Sequence, residues 1–251
     1  MSGHNRWTKI KRLKGAVDAA RGRAFTKIIK EITIAARMGG GDPTGNARLR
    51  KAIDLAKATN MPQDTWQRAI KKGTGELEGV SYEELVYEGV GPAGALLLME
   101  VVTDNRNRTA AEIRKVFDKH NGSLGGAGSA AWAFEPKGIV TLAKSAASEE
   151  QLFDVAVGAG AEDVGSDDET WTITTPVDAL DPVKDALVAA KIEVASASYE
   201  KVPKTPKIVE GRDADVLLNL VTALEEHDDV QKVFTDFELS EADAARLASE
   251  A

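Results

Sequence analysis

The side chains of this chain best placed to do chemistry are cationic, and they crowd toward its start. Arg6, Lys9, Lys11, Arg12 and Lys14 fall within a few residues of one another with Trp7 among them, and Arg21 and Arg23 follow. Lys27, Lys30 and Arg37 continue the series, and Lys71 and Lys72 close it. Phosphate groups need donors of this kind, and a guanidinium can engage two phosphate oxygens at once. Trp7 allows two uses: stacking on a base, or anchoring the chain start into a core. A second basic pair, Arg106 and Arg108, sits in the run Thr103-Asp104-Asn105-Arg106-Asn107-Arg108-Thr109. Just ahead of a helix, such a run could hold a phosphate or an acidic partner, because free backbone N–H groups there favour anions. It reads equally well as a turn closed by its Asn and Asp side chains.

Charge is divided along the chain. The net charge of −8 conceals residues 1–72, which carry 17 Lys and Arg against 5 Asp and Glu, while the remainder carries 15 against 35. A basic segment joined to an acidic body points to a polyanion partner, with the acidic part limiting indiscriminate adhesion. The plainer alternative is a solvated basic face.

The catalytic inventory is short. With no cysteine there is no disulfide, thiolate metal site or cysteine nucleophile. His4, His120 and His227 are scattered without metal-ligand spacing, and His227-Asp228-Asp229 reads as a loop. Gly39-Gly40-Gly41 and the glycines from Gly122 to Gly128 each follow a helical pattern rather than a strand and lack a GK[ST] ending, so they read as connections, not phosphate cradles. The expectation is a non-enzyme with no metal, no cofactor and no small-molecule substrate.

The elements that must position these cations follow from periodicity. Phe25, Ile28, Ile29, Ile32 and Ala36 recur at helical spacing, which places Arg23, Lys27, Lys30 and Arg37 on the opposite face. This helix is expected to start at Arg23, after a first one over Ile10–Ala20, and to end at Gly39–Pro43. Leu49, Ala52, Ile53 and Ala56 mark another helix, and Trp66, Ala69 and Ile70 mark the next, which stops at Gly73. Beyond Tyr82, strands are expected over Leu85–Glu88 and Ala95–Thr103. A helix should then open at the capping box Thr109–Glu112. An alternation follows: strand (Gly138–Leu142), helix (Glu149–Ala159), strand (Thr170–Thr174), helix (Asp178–Ala190), strand (Glu193–Glu200). Residues 201–207 read as a linker. The last part has one helix, Val216–Leu224, and one strand near Val230–Phe237, too little for a core of its own. These should complete the sheet begun at Leu85. The fold class expected is therefore multidomain α+β: an N-terminal helical bundle (1–78), a discontinuous α+β domain (79–134 plus 206–251), and a second, split β-α-β-like domain (135–205) inserted in it.

Several ordered segments resemble the YebC family, which includes a mitochondrial translational activator. They are Gly3-His4-Asn5-Arg6-Trp7, Arg21-Gly22-Arg23-Ala24-Phe25-Thr26-Lys27, Ala36-Arg37-Met38-Gly39-Gly40-Gly41-Asp42-Pro43, Asn60-Met61-Pro62 and Ala69-Ile70-Lys71-Lys72-Gly73-Thr74-Gly75. Tyr87-Glu88-Gly89, the 103–109 run and Ala131-Trp132-Ala133-Phe134 extend the match. The resemblance implies the same three-part fold and a cytoplasmic regulator. It implies either a DNA-binding transcriptional regulator or a ribosome-associated factor aiding synthesis of difficult segments such as proline runs. Double-stranded DNA and ribosomal RNA both remain open as partners. An adaptor that docks proteins through its acidic domains is a further alternative. A membrane is not expected, since no segment approaches the roughly 18 consecutive apolar residues of a spanning helix. The first residues also lack the apolar core of a signal peptide.

Overall fold

The computed structural model describes residues 17–167 and 169–249. In chain order these form helices α1 (Val17–Gly39), α2 (Ala47–Ala58) and α3 (Gln63–Gly73), then β1 (Glu83–Val90), β2 (Leu96–Thr103), α4 (Arg106–Lys119) and β3 (Ser123–Leu124). Next come β4 (Phe134–Ala143), α5 (Glu149–Gly158), β5 (Asp163–Ser166), β6 (Thr170–Thr175), α6 (Leu180–Ala189), β7 (Ser196–Pro203) and β8 (Lys207–Val209). Helix α7 (Gly211–Glu225), β9 (Val230–Thr235), β10 (Phe237–Leu239) and α8 (Glu241–Ser249) complete the chain. The fold is multidomain α+β, with helices first and sheets, antiparallel in the main, after. Two compact units hold these elements, residues 17–129 with 215–233 and residues 130–214 with 234–249.

In the first unit the bundle core is Ile28, Ile32, Ala36, Leu49, Ala52, Ile53, Ala56 and Ala69, the stripes seen in the sequence. Helix α1 corrects one expectation, because it runs unbroken through the break expected between Ala20 and Arg23. Gly22 has open space around it, and an interior glycine costs a helix only about 1 kcal/mol. The helix ends where Gly40 takes φ +82 and donates its N–H to Ala36 O. Buried Asn46 then joins two helices. Its Oδ1 caps α2 by accepting from Leu49 N–H, and its Nδ2 donates to Ala35 O at 2.7 Å and Gly40 O at 2.9 Å. Gly73 lets α3 close on α1, since a Cβ there would lie 2.4 Å from Thr33 O and 2.8 Å from the Ala36 Cβ.

The sheet of this unit has the order β3-β1-β2-β9. The strand after α7 therefore completes the sheet begun at β1, as the pattern required. Helix α4 opens earlier than its capping box suggested. Asn105 is the N-cap, accepting from Arg108 N–H, so Arg106 and Arg108 stand in the first turn and Thr109 lies inside the helix, buried. Asn105 outcompetes Thr109 as cap because its own N–H is held by Thr103 Oγ1 at 2.9 Å, which fixes the turn one strand-end earlier.

The second unit contains an antiparallel sheet of order β5-β6-β4-β7. Val140, Leu142, Trp171 and Ile173 of that sheet pack with Leu152 and Ala156 of α5 and Leu180, Val183 and Leu187 of α6. The expected alternation is present with one more strand, β5, and its last strand lies at Ser196–Pro203 rather than Glu193–Glu200. The expected linker 201–207 is also structured. Its first residues finish β7 against β4, and Lys207 begins β8, which pairs in parallel with β10. Helix α8 was not foreseen, because Ala-rich segments with scattered charge carry little periodic contrast.

Candidate nucleic-acid interface

Of the cations singled out in the sequence, Arg6, Lys9, Lys11, Arg12 and Lys14 lie outside the described residues with Trp7, as does the side chain of Arg21. The rest fall into two groups with different environments.

The first group lines α1 and is engaged internally. Arg23, Lys27 and Lys30, spaced four and three apart, share one side of the helix, and that side meets the end of α7 and the loop after it. Arg23 Nη2 lies 2.9 Å from Glu226 Oε1, and Lys27 Nζ donates to the carbonyl of Glu225. A helix C-terminus has unfilled carbonyls and a partial negative charge, so cations are the expected neighbours. Lys30 goes further. Its side chain is only 8% exposed, and its ammonium donates to Asp228 O at 2.9 Å and pairs with Asp229. The outward placement expected for Lys30 is thus corrected: its ion pair is buried. Helix α1 is buried along two stripes, because Thr33 and Ile34, one turn beyond Lys30, are buried too.

Asp229 is the hub of this network, with its side chain 4% exposed. Its Oδ1 accepts from the Lys30 ammonium, while Oδ2 accepts from Arg108 Nη2 at 3.0 Å and from Thr109 Oγ1. Burial alone would raise this carboxyl, but the bonds from Lys30, Thr109 and Arg108 outweigh it and hold the pKa down at about 2. Thr103 and Thr109 share a buried hydroxyl contact at 2.8 Å, and Arg108 also reaches Asp104. Within the run 103–109, Thr103 and Thr109 are buried in this network and Arg108 reaches it from an exposed position, while Asp104, Asn105, Arg106 and Asn107 are exposed. The sequence reading placed Asp229 in a loop and missed its pairing with Lys30, although Ile34, one turn beyond Lys30 and apolar on the supposed polar face, was a usable hint.

His227, Glu112 and Asp229 bring ligand-type atoms within 4.8 Å of one another. Their chemistry does not suit a divalent cation, because Lys30 and Arg108 already neutralise Asp229. His227 Nδ1 accepts the N–H of Asp229, and Nε2 lies 3.1 Å from Glu112 Oε2. The glycines near 125–128 are similarly occupied: Gly125 N–H donates to Glu88 O, and Gly128 N–H to the buried carboxylate of Glu88 at 2.8 Å. Arg48 is clamped between Glu31 and Glu84, which push its pKa further up.

The second group is exposed. Arg37, in the last turn of α1, and Lys71 and Lys72, in the last turn of α3, come together because Gly73 lets the ends of the two helices touch; a Cβ on Gly73 would lie 3.2 Å from Arg37 N. Arg37 donates to Ser81 Oγ at 2.8 Å and stays exposed. Arg106 is exposed in the first turn of α4, where its carbonyl accepts from Tyr87 OH. Such an end of a bundle offers flexible ammonium and guanidinium groups to a phosphate backbone.

The model of the TACO1/YebC protein N-terminal domain matches residues 5–76, and that of the TACO1/YebC second and third domain matches residues 82–237. A protein of Desulfosudis oleivorans named probable transcriptional regulatory protein is 52% identical over 96% of this chain and 98% of that relative. A relative of the same name from Geobacter sulfurreducens is 50% identical over 98% of this chain and all of its own length. The crystal structure of a conserved hypothetical protein from Aquifex aeolicus superposes with a TM-score of 0.80 at 43% identity, covering 89% of this chain and 93% of that one. Matching along both its bundle and its sheets, this chain belongs to the TACO1/YebC family.

Proposed function

We propose that this protein is a non-enzymatic, cytoplasmic regulator of gene expression that binds nucleic acid through its basic N-terminal segment. The observation carrying this reading is the charge division, 17 basic against 5 acidic residues in 1–72 beside a strongly acidic remainder. The name shared by its relatives, probable transcriptional regulatory protein, supports the regulatory role and favours duplex DNA as the target. Arg37, Lys71, Lys72 and Arg106 would meet phosphates together with the basic residues between Arg6 and Lys14. Arg23, Lys27 and Lys30 serve the fold instead. With those three cations engaged internally, Arg37 in the last turn remains as the exposed cation among the described side chains of α1. Recognition would then rest on backbone and shape. That observation also favours a second reading, ribosomal RNA as the phosphate backbone, with the protein acting in translation.

Salt dependence tests the proposal. Duplex binding should weaken by roughly 0.9 log units per log unit of salt for each phosphate neutralised. Arg37→Glu, Lys71→Glu and Lys72→Glu together should flatten that slope as well as weaken binding. Absence of duplex binding at low salt, alongside co-sedimentation with ribosomes, would transfer the function to the second reading. Absence of both would overturn it.

A further inference from the structure

We infer that residues 6–14 of this chain dock on the exposed face of helix α5 when no nucleic acid is bound, so that α5 and a phosphate backbone compete for the same basic segment. The inference rests on the nucleic-acid reading above and adds a regulatory surface to it.

Helix α5 carries two rows of apolar side chains, each with members four residues apart. Leu152 and Ala156 form the buried row and pack into a core with Trp171 and Leu187. Phe153 and Val157 form the other row, 55% and 42% exposed. Residues at i and i+4 are neighbours on a helix surface, so these two make one continuous apolar strip. Of the six phenylalanines Phe153 alone is exposed; the other five are buried or half-buried. The display is fixed in place. Ser148 caps α5 by accepting from Gln151 N–H, and the buried row holds the helix to its sheet. A phenyl ring held in water in this way suits a contact that another segment completes.

Carboxylates select the segment. Glu149 and Glu150 stand one turn before Phe153, and Asp154 stands one turn before Val157. All three are exposed, and α5 contains no Lys or Arg. Glu149 and Glu150 also suit the start of a helix on their own account, but Asp154 lies beyond the first turn, where that preference has faded. More widely, residues 149–200 carry 13 acidic side chains against 2 basic ones. The occupant must therefore combine cations with large apolar side chains. Residues 6–14 supply Arg6, Lys9, Lys11, Arg12 and Lys14, with Trp7, Ile10 and Leu13 among them at intervals of three. No acidic residue occurs before Asp18. The 16 residues ahead of α1 can reach about 50 Å when extended, more than the roughly 30 Å diameter of a small domain. Docking keeps these cations on α5 until a denser array of phosphates displaces them.

The test uses the full chain, which has no cysteine of its own. Thr8→Cys and Gln151→Cys, which leave every proposed contact residue intact, are joined by a flexible bis-maleimide. A cross-link within one chain is expected, lost in Phe153→Ser with Val157→Ser and lost again under saturating nucleic acid. Without the added cysteines, Phe153→Ser with Val157→Ser should tighten binding of duplex DNA or ribosomal RNA about 5-fold or more at low salt, the scale of coupling between two sites. Both positions are exposed, so a melting curve close to that of the unaltered protein is expected. Glu149→Gln, Glu150→Gln and Asp154→Asn together should also tighten binding, and by more than Asp163→Asn, Glu193→Gln and Glu210→Gln, which change the net charge equally. Absence of the intrachain cross-link, a cross-link only between two chains, or unchanged affinity in Phe153→Ser with Val157→Ser overturns the inference and leaves the proposed function standing. Equal effects of the two charge triplets also overturn it. No binding of duplex DNA or ribosomal RNA by the unaltered protein defeats the proposed function itself, whatever the cross-link shows.

Discussion

Replacing Asp229 with Asn should destabilise the first unit by about 3–5 kcal/mol, because it removes one partner of a buried ion pair and strands the other. Lys30 has no route to solvent that preserves α1, since its side chain is 8% exposed and its remaining acceptor is the carbonyl of Asp228. The acid titration of the same residue gives a smaller, separate figure. Its pKa falls from 3.8 to about 2, which corresponds to about 2 kcal/mol of stability. A depressed carboxyl contributes that stability above its unfolded pKa, so it is complete at neutral pH and lost as pH drops from about 4 through about 2. The two figures differ because protonation keeps the carboxyl in place as a hydrogen-bonding group, whereas Asn leaves the ammonium facing an amide with a single acceptor oxygen. For a chain of this size the larger value lowers the melting temperature by on the order of 10 °C. Urea denaturation should be followed through Trp66, which lies in the bundle, because a two-unit protein need not melt in one step. Lys30→Met should cost less than Asp229→Asn, since Arg108 and Thr109 still serve the carboxylate. A double-mutant cycle with both should return at least about 1.5 kcal/mol of coupling, on the order measured for close charge pairs. A change under about 0.5 kcal/mol in Asp229→Asn, the size of an ordinary surface substitution, would refute the buried hub.

Gly73→Ala should destabilise the bundle by about 1–3 kcal/mol in the same urea assay, since its methyl would sit 2.4 Å from Thr33 O. Removing the α4 cap with Asn105→Ala should cost about 1 kcal/mol, read as a fall of a few degrees in melting temperature. Asn46→Ala should cost more than Asn105→Ala, because Asn46 is buried and its amide also donates to Ala35 O and Gly40 O, bonds that Asn105 has no counterpart for.

Much of the fold was legible because it depends on periodicity. The stripe Ile28, Ile32 and Ala36 and the set Leu49, Ala52, Ile53 and Ala56 are core residues, as their spacing implied. The return of β9 to the first sheet followed from a helix and a strand too few to bury one another. Where reading went astray, local signals competed. A break was expected between Ala20 and Arg23, but the Gly22 that lies there costs too little to stop a helix already propagating. Thr109 with Glu112 resembled a cap, yet Asn105 held by Thr103 took that role. Residues 201–207, rich in Lys and Pro, resembled a linker, but an edge strand tolerates Pro and pairs through residues on either side of it.

The sequence by itself determined that this is a multidomain α+β protein with its positive charge gathered at one end, since composition and hydrophobic period are properties of the chain and need no neighbours. Tertiary structure decided which of those charges face outward. Lys30 and Lys71 are the same side chain on similar helices, but one is buried against Asp229, almost two hundred positions away, and the other is exposed. A long-range partner leaves no period in the sequence. It is selected when packing removes both groups from water and makes leaving either one alone too costly.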